Sequence, residues 1–83
     1  MKTFRWIAWN LDKVAKHGVS PLEAERVVLD ARKSYPRHIE AGKWQVVGRG
    51  QGDRFVQVIY VVDTDDTLFI IHAMPLTTRR RRR

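Results

Sequence analysis

The sequence contains no cysteine, which removes disulfide bridges and thiolate metal sites from any account of its stability or chemistry. That absence is compatible with a reducing compartment, and the cytoplasm is the expected location. No apolar run approaches the roughly 18 residues a membrane-spanning helix needs, and the start "MKTFRWIAWN" lacks a long apolar segment followed by a small-residue cleavage site. No membrane association is expected. The three histidines are far apart, so zinc spacing is absent, and "DTDD" is too short for a calcium loop and lacks its closing Glu. "GRGQG" does not have dinucleotide-binding spacing and leads toward a strand rather than a helix. No cofactor and no metal are expected, and there are no internal repeats.

What is present is apolar and basic. At 83 residues the chain has the size of one small domain, and its 43% hydrophobic content, with three Trp, three Phe and two Tyr, suffices for a compact core. The expected organisation is a single domain over residues 1–83. Residues 1–36 hold a strand and two helices, residues 43–76 an antiparallel meander, and residues 77–83 a basic tail or helix start. The net charge of +7 and pI of about 10.6 favour a polyanion such as nucleic acid, or an acidic protein, as partner. Five of those seven charges come from the closing run "RRRRR", so the rest of the chain carries only +2.

The alternating, aromatic opening "FRWIAW" predicts a first strand over residues 4–8. In "NLDKVAKHG", Asn10 suits an N-cap, Asp12 the first turn, Lys16 and His17 the last turn, and Gly18 the left-handed position after a helix. "SPLE" starts a second helix, with Ser20 as N-cap, Pro21 in the first turn and Glu23 three residues after the cap. Ala24, Val27, Val28, Ala31 and Tyr35 follow at spacings of three and four and should share the face turned to a sheet, with Pro36 limiting the helix. After a polar stretch with Arg37, His38 and Glu40, "KWQVVGRG", "DRFVQVIYVVD" and "TLFIIHAM" predict three strands joined by turns at "GQGD" and "DTDD". The expected class is α+β, with helices on one face of a mainly antiparallel sheet.

Across nearly its whole length the chain resembles a family. "WNLDKVAKHGVSPLEAERVV", the glycine-containing "WQVVGRG" and the ending "IIHAMPLTTRRRRR" together look like the BrnT-type toxins of bacterial type II toxin–antitoxin systems. "KHGVS" followed by "EAE" is the most specific part. The resemblance implies a RelE/ParE-like fold, metal-independent endoribonuclease activity that inhibits translation, and a small cognate DNA-binding antitoxin that neutralises the toxin, forming a hetero-oligomer with it. Family members commonly carry "SAR" on the last strand. This chain has "HAM", so His72 replaces the serine and Met74 replaces an arginine associated with cleavage. The family also usually continues past its basic segment, which implies a longer C-terminus than the one ending at Arg83.

Metal-independent RNA cleavage needs a base for the 2′-hydroxyl, positive charge on the phosphorane oxygens and an acid for the leaving 5′-oxygen. His72, near the end of a strand and beside the basic tail, fits the base or acid. By strict alternation it shares a face with Leu68, Ile70 and Met74, so a packing role competes with proton transfer. Arg49 and Arg54 flank "GQGD", where a hairpin would bring them together as a phosphate clamp, or leave two ordinary exposed arginines. Arg79 completes the expected catalytic set. Lys13 and Lys16, with Arg80, Arg81, Arg82 and Arg83, are the expected RNA-binding residues, and a solvated helix face and tail are the competing readings. His17 is expected to serve only as a helix C-terminal cation, Tyr60 to pack or to orient a base, and Glu40 to be a lone loop carboxylate. The alternative to an enzyme is a non-catalytic nucleic-acid or protein binding module on the same fold.

Overall fold

Two helices lead the chain into a four-stranded sheet in the computed structural model, which describes residues 2–76. Helix α1 spans Ala8–Ala15 and α2 spans Pro21–Leu29; strands β1 (Arg37–Glu40), β2 (Lys43–Arg49), β3 (Phe55–Val62) and β4 (Leu68–Pro75) follow. The sheet runs β1-β2-β3-β4 with every pair antiparallel, which is the expected α+β arrangement. The segment expected as tail or helix start, residues 77–83, lies outside the described residues.

The opening departs from the expected strand over residues 4–8. Only Phe4 bridges Leu68, in parallel sense, through Arg5 N–H donating to Leu68 O at 2.9 Å and Leu68 N–H to Thr3 O at 2.8 Å. The helix begins sooner, at Ala8, so Asn10 is not its N-cap. Asn10 sits in the first turn, fully buried, where Oδ1 accepts from Ile7 N–H at 2.7 Å and Nδ2 donates to the Arg5 carbonyl at 3.0 Å. Both halves of the amide are satisfied, so its burial carries no unmade hydrogen bond. The end of α1 follows expectation. Gly18 has φ +72°, Gly18 N–H donates to Ala15 O at 2.9 Å and Val19 N–H to Val14 O at 3.1 Å, with Val14 and Val19 both buried. This is a Schellman end with its apolar contact.

Ser20 caps α2 as expected: Oγ accepts from Glu23 N–H at 3.1 Å, with Pro21 in the first turn. The helix stops at Leu29, short of the expected limit at Pro36. Asp30 takes the C-cap with ψ 18°, and residues 32–35 turn back so that the next segment can reach the sheet edge. Ala31 and Tyr35 still pack against the core from outside the helix. The polar stretch read as a loop forms β1, which pairs Arg37 with Gln45 and His38 with Trp44. All four β1 residues are exposed, so apolar alternation had nothing to report there.

One face of the sheet is covered. Val46, Val56, Val58, Tyr60, Leu68, Ile70 and Ala73 are buried against Val14, Ala24, Val27 and Val28 of the helices. Gly48 belongs to this face, where its position approaches Val27. The opposite face carries Gln45, Val47 and Arg49 of β2, paired with Ile59, Gln57 and Phe55 of β3. Gln45 and Gln57 join there, Nε2 to Oε1, at 3.2 Å. That face has no helix over it among the described residues.

Candidate functional site

The register of β4 decides which side chains reach the open face. Tyr60 pairs with Ile70, but Ile59 pairs with His72, so Ile71 is an extra residue, a β-bulge. Leu68 and Ile70 point into the core before the bulge and Ala73 does so after it. His72 and Met74 pair with Ile59 and Gln57 and therefore join the open face. This corrects the expectation from strict alternation. His72 does not share a face with Leu68 and Ile70, because one unpaired residue inverts the side-chain phase.

Helix α1 borders this face along β4. Trp9, Lys13 and His17 recur every four residues and form one stripe of the helix and its end. His17 meets His72 edge to face, with ring centroids 5.6 Å apart. Half-burial holds the His72 imidazole below its ordinary value, and the neighbouring His17 and Lys13 push it the same way. Desolvation disfavours the imidazolium, and so does each nearby cation. The consequence is a neutral His72 at neutral pH, able to accept a proton, beside a second imidazole and an ammonium group.

The other expected residues are distributed differently. Arg49 lies on the open face, its guanidinium 5.3 Å from the Phe55 ring centroid and 3.1 Å from Asp53 Oδ1, with both partners of that ion pair largely exposed. It is two strands across and four residues along from His72. At about 4.7 Å per strand and about 3.3 Å per residue, their backbones are about 16 Å apart, and Arg49 is held toward Asp53 and Phe55, so the two do not meet on one phosphate. Arg54 does not join Arg49 in a clamp. Its Nη2 donates to Glu23 Oε1 at 2.7 Å and to the Gly18 carbonyl at 2.9 Å, and its Nε to Glu23 Oε2 at 3.0 Å. The reason is Glu23, which is nearly fully buried and also accepts from Gln51 N–H at 2.8 Å. Hydrogen bonding from Arg54 holds that carboxyl below its ordinary value against the opposing effect of burial, with Gln51 and Ser20 N–H adding to the arginine. A buried carboxylate needs such a partner, so Arg54 ties α2 to the β2–β3 turn.

Lys16 is the exposed C-cap of α1, beside the Lys13–His17 stripe. Arg79, Arg80, Arg81, Arg82 and Arg83 lie outside the described residues. Tyr60 is buried in the core, which raises its hydroxyl's pKa, and it does not reach the open face. Glu40 pairs with Lys43 at 3.0 Å. A cleft of about 250 Å³ between α2 and the β2–β3 turn is lined by Leu22, Glu23, Arg26, Arg49, Gly50 and Gln51. It holds no histidine, and its carboxylate is already paired, whereas His17 and His72 bring two imidazoles together at the edge of the open face. Among the described residues no three His, Cys, Asp or Glu side chains gather where they could hold a metal ion, and no helix is long and apolar enough to cross a membrane.

His17 is the residue that sequence reasoning undervalued. Its helix-end position was legible, but its partner lies 55 positions away, and only the β4 bulge and the docking of α1 bring the two rings together.

No protein-family model matches the sequence, and no curated protein matches it. Among solved structures, the chain is similar to the 1.1 Å crystal structure of the Brucella abortus ribonuclease toxin BrnT. The TM-score is 0.71 and the identity 19%, over 94% of this chain and 99% of that one. At that identity the likeness establishes the fold, which is the α+β arrangement expected from the sequence.

Proposed function

We propose that this chain is a ribonuclease toxin that cuts RNA without a metal ion, and that a small DNA-binding antitoxin neutralises it. The observation that carries the reading is the His17–His72 pair, with Lys13 beside it, on the uncovered side of a fold similar to that of a ribonuclease toxin. Neutral His72 takes the proton from a ribose 2′-hydroxyl as its oxygen attacks the adjacent phosphorus. Lys13 balances the charge that develops on the phosphorane oxygens. His17 gives a proton to the 5′-oxygen as the P–O bond breaks, leaving a 2′,3′-cyclic phosphate and a free 5′-hydroxyl. Met74 stands where the resemblance places an arginine, so Lys13 and His17 supply the positive charge in its stead. Arg49, about 16 Å from His72 by strand spacing, suits a phosphate further along the strand of RNA. Arg54 supports the fold beneath this face.

Cleavage of a defined RNA by the purified chain, freed of partner and assayed in EDTA, tests the proposal. His72→Ala should lower cleavage about 10²-fold to 10⁴-fold and remove the acid limb of the pH–rate profile, with the fold and RNA affinity kept. His17→Ala should also lower cleavage, because it removes the proposed proton donor to the leaving 5′-oxygen. If the wild-type chain binds RNA but cuts none from pH 5 to 9, the binding-module reading replaces this one. For the partner, co-expression with an adjacent gene should give a co-purifying complex. A chain that accumulates alone without arresting growth counts against an antitoxin.

A further inference from the structure

Next to the imidazole pair lies a ladder of cations and aromatic rings that the cleavage chemistry does not use in full. The Arg5 guanidinium sits 4.4 Å from the Phe69 ring centroid. Phe69 stacks on Trp9, with centroids 5.9 Å apart and planes within 12°, and the Lys13 ammonium lies 5.2 Å from the Trp9 ring. Trp9 is 49% exposed. An indole kept half in water by the fold, on a domain with so small a core, contributes little to folding for its size. Phe69 precedes His72 by three residues on the same strand and pairs with Val61, on the open side of the sheet. Lys13 belongs to both groups. It overlies Trp9 and its charge reaches His72.

The geometry points to a nucleobase subsite: an unpaired base of single-stranded RNA, on the nucleotide next to the scissile phosphate, stacks against the Trp9 indole while Lys13 and Arg5 take the flanking phosphates. The inference rests on the ribonuclease reading of His17 and His72 and names the form of RNA that this site accepts. A flat aromatic surface with cations at its ends matches a splayed base with a phosphate on each side, because stacking takes any base and the cations follow the backbone. A duplex keeps its bases stacked inside and cannot offer one. The charge balance fits the same occupant: Arg5 pairs with Asp63 at 2.9 Å from its Nε and lies near Asp65, while Lys13 makes no ion pair among the described residues and is left for a phosphate. Lys13 is a flexible ammonium held over the indole by a cation–π contact in water, so a phosphate draws it aside and frees the ring for the base.

The test is equilibrium binding of the full chain to a short single-stranded 2′-O-methyl RNA, which lacks the hydroxyl needed for cleavage, with ordinary RNA cleavage measured in parallel. Trp9→Leu should weaken binding about 5-fold to 100-fold, the size of one lost base–aromatic stack, while Trp9→Phe recovers most of it. The salt dependence should stay the same, because no phosphate contact is lost. An oligonucleotide with an abasic residue at the stacked position should bind the wild-type chain as weakly as Trp9→Leu binds the intact one. A duplex of the same sequence should bind more weakly than the single strand. Equal affinity of Trp9→Leu and wild type, indifference to the abasic residue, or no binding at all overturns the subsite. If the subsite fails while the wild type still cuts RNA, the ribonuclease reading survives. If Trp9-dependent binding is found in a chain that cuts nothing, the subsite stands and the ribonuclease reading falls.

Discussion

Glu23 and His72 are both held below their ordinary pKa values for different reasons, and each yields a measurable pH effect. Glu23 has a folded pKa below its ordinary value of about 4.5, so its ionised form stabilises the fold above that pH. The contribution is lost as pH falls through the lower, folded value, because the unfolded chain binds the proton first. Thermal unfolding of Glu23→Gln should therefore show a flatter acid limb than wild type, at a lower plateau near neutrality. Arg54→Ala should lower the melting temperature by more than Arg49→Ala, because it strands a buried carboxylate where the latter frees an exposed one. His72 is also depressed, so its imidazole stays neutral somewhat below its ordinary value of about 6.5, and the proposed base should fail as pH falls through its folded value. Lys13→Gln removes one of the charges that disfavours the imidazolium. The acid limb of kcat/KM should then move to higher pH, and a limb that stays in place or moves lower would exclude Lys13 as an electrostatic neighbour of His72. Gly50 is a third sensitive position, since a Cβ there would collide with the Glu23 carboxylate and Val56. None of these environments was legible from the residue type alone. Glu23 read as a capping-box acid and Arg54 as half of a phosphate clamp or an exposed arginine, because the contact that redefines both spans 31 positions.

At the scale of elements, local chemistry was legible wherever it was self-contained. Ser20-Pro21 and the Gly18 turn satisfy their own backbone, and the three apolar runs carry strand composition over seven or eight residues each, so their signals survive in the sequence. Residues 4–8 misled because "FRWIAW" has strand composition while Asn10 ties Arg5 and Ile7 into a helix start. β1 has no apolar face to announce it. The bulge at Ile71 was invisible for a different reason: in "LFIIHAM" the alternation is written in residues that are apolar on both sides, so the phase cannot be read. Deleting Ile71 should remove the bulge without changing any face, because Ile70 still opposes Tyr60 in the core and His72, now next in the chain, still opposes Ile59 on the open face. A folded deletion variant should therefore keep the acid limb of the proposed cleavage. Loss of cleavage in a deletion variant that melts like the parent would mean that the local geometry of the bulge, beyond the face it selects, orients the histidine.

For the whole molecule, charge and fold divide the work of binding. The fold places His17, His72 and Lys13 at one edge of an uncovered sheet face, with Arg49 about 16 Å away on the same face, but only +2 of the net charge lies outside the arginine run. On the proposed RNA-cutting function, long-range attraction to RNA should depend mainly on Arg79, Arg80, Arg81, Arg82 and Arg83, and discrimination between single strand and duplex on the face that holds Trp9. These two contributions respond differently to salt. Each phosphate contact on a single strand contributes about 0.7 to the slope of log affinity against log salt, so removing residues 79–83 should reduce the slope by up to about 3.5. The same truncation should leave the preference for single-stranded over duplex RNA intact, because stacking on Trp9 releases no counterions. Trp9→Leu should do the reverse and erase the preference at an unchanged slope. A truncation that abolishes the preference would place recognition in the arginine run, and one that leaves the slope untouched would remove that run from the RNA interface.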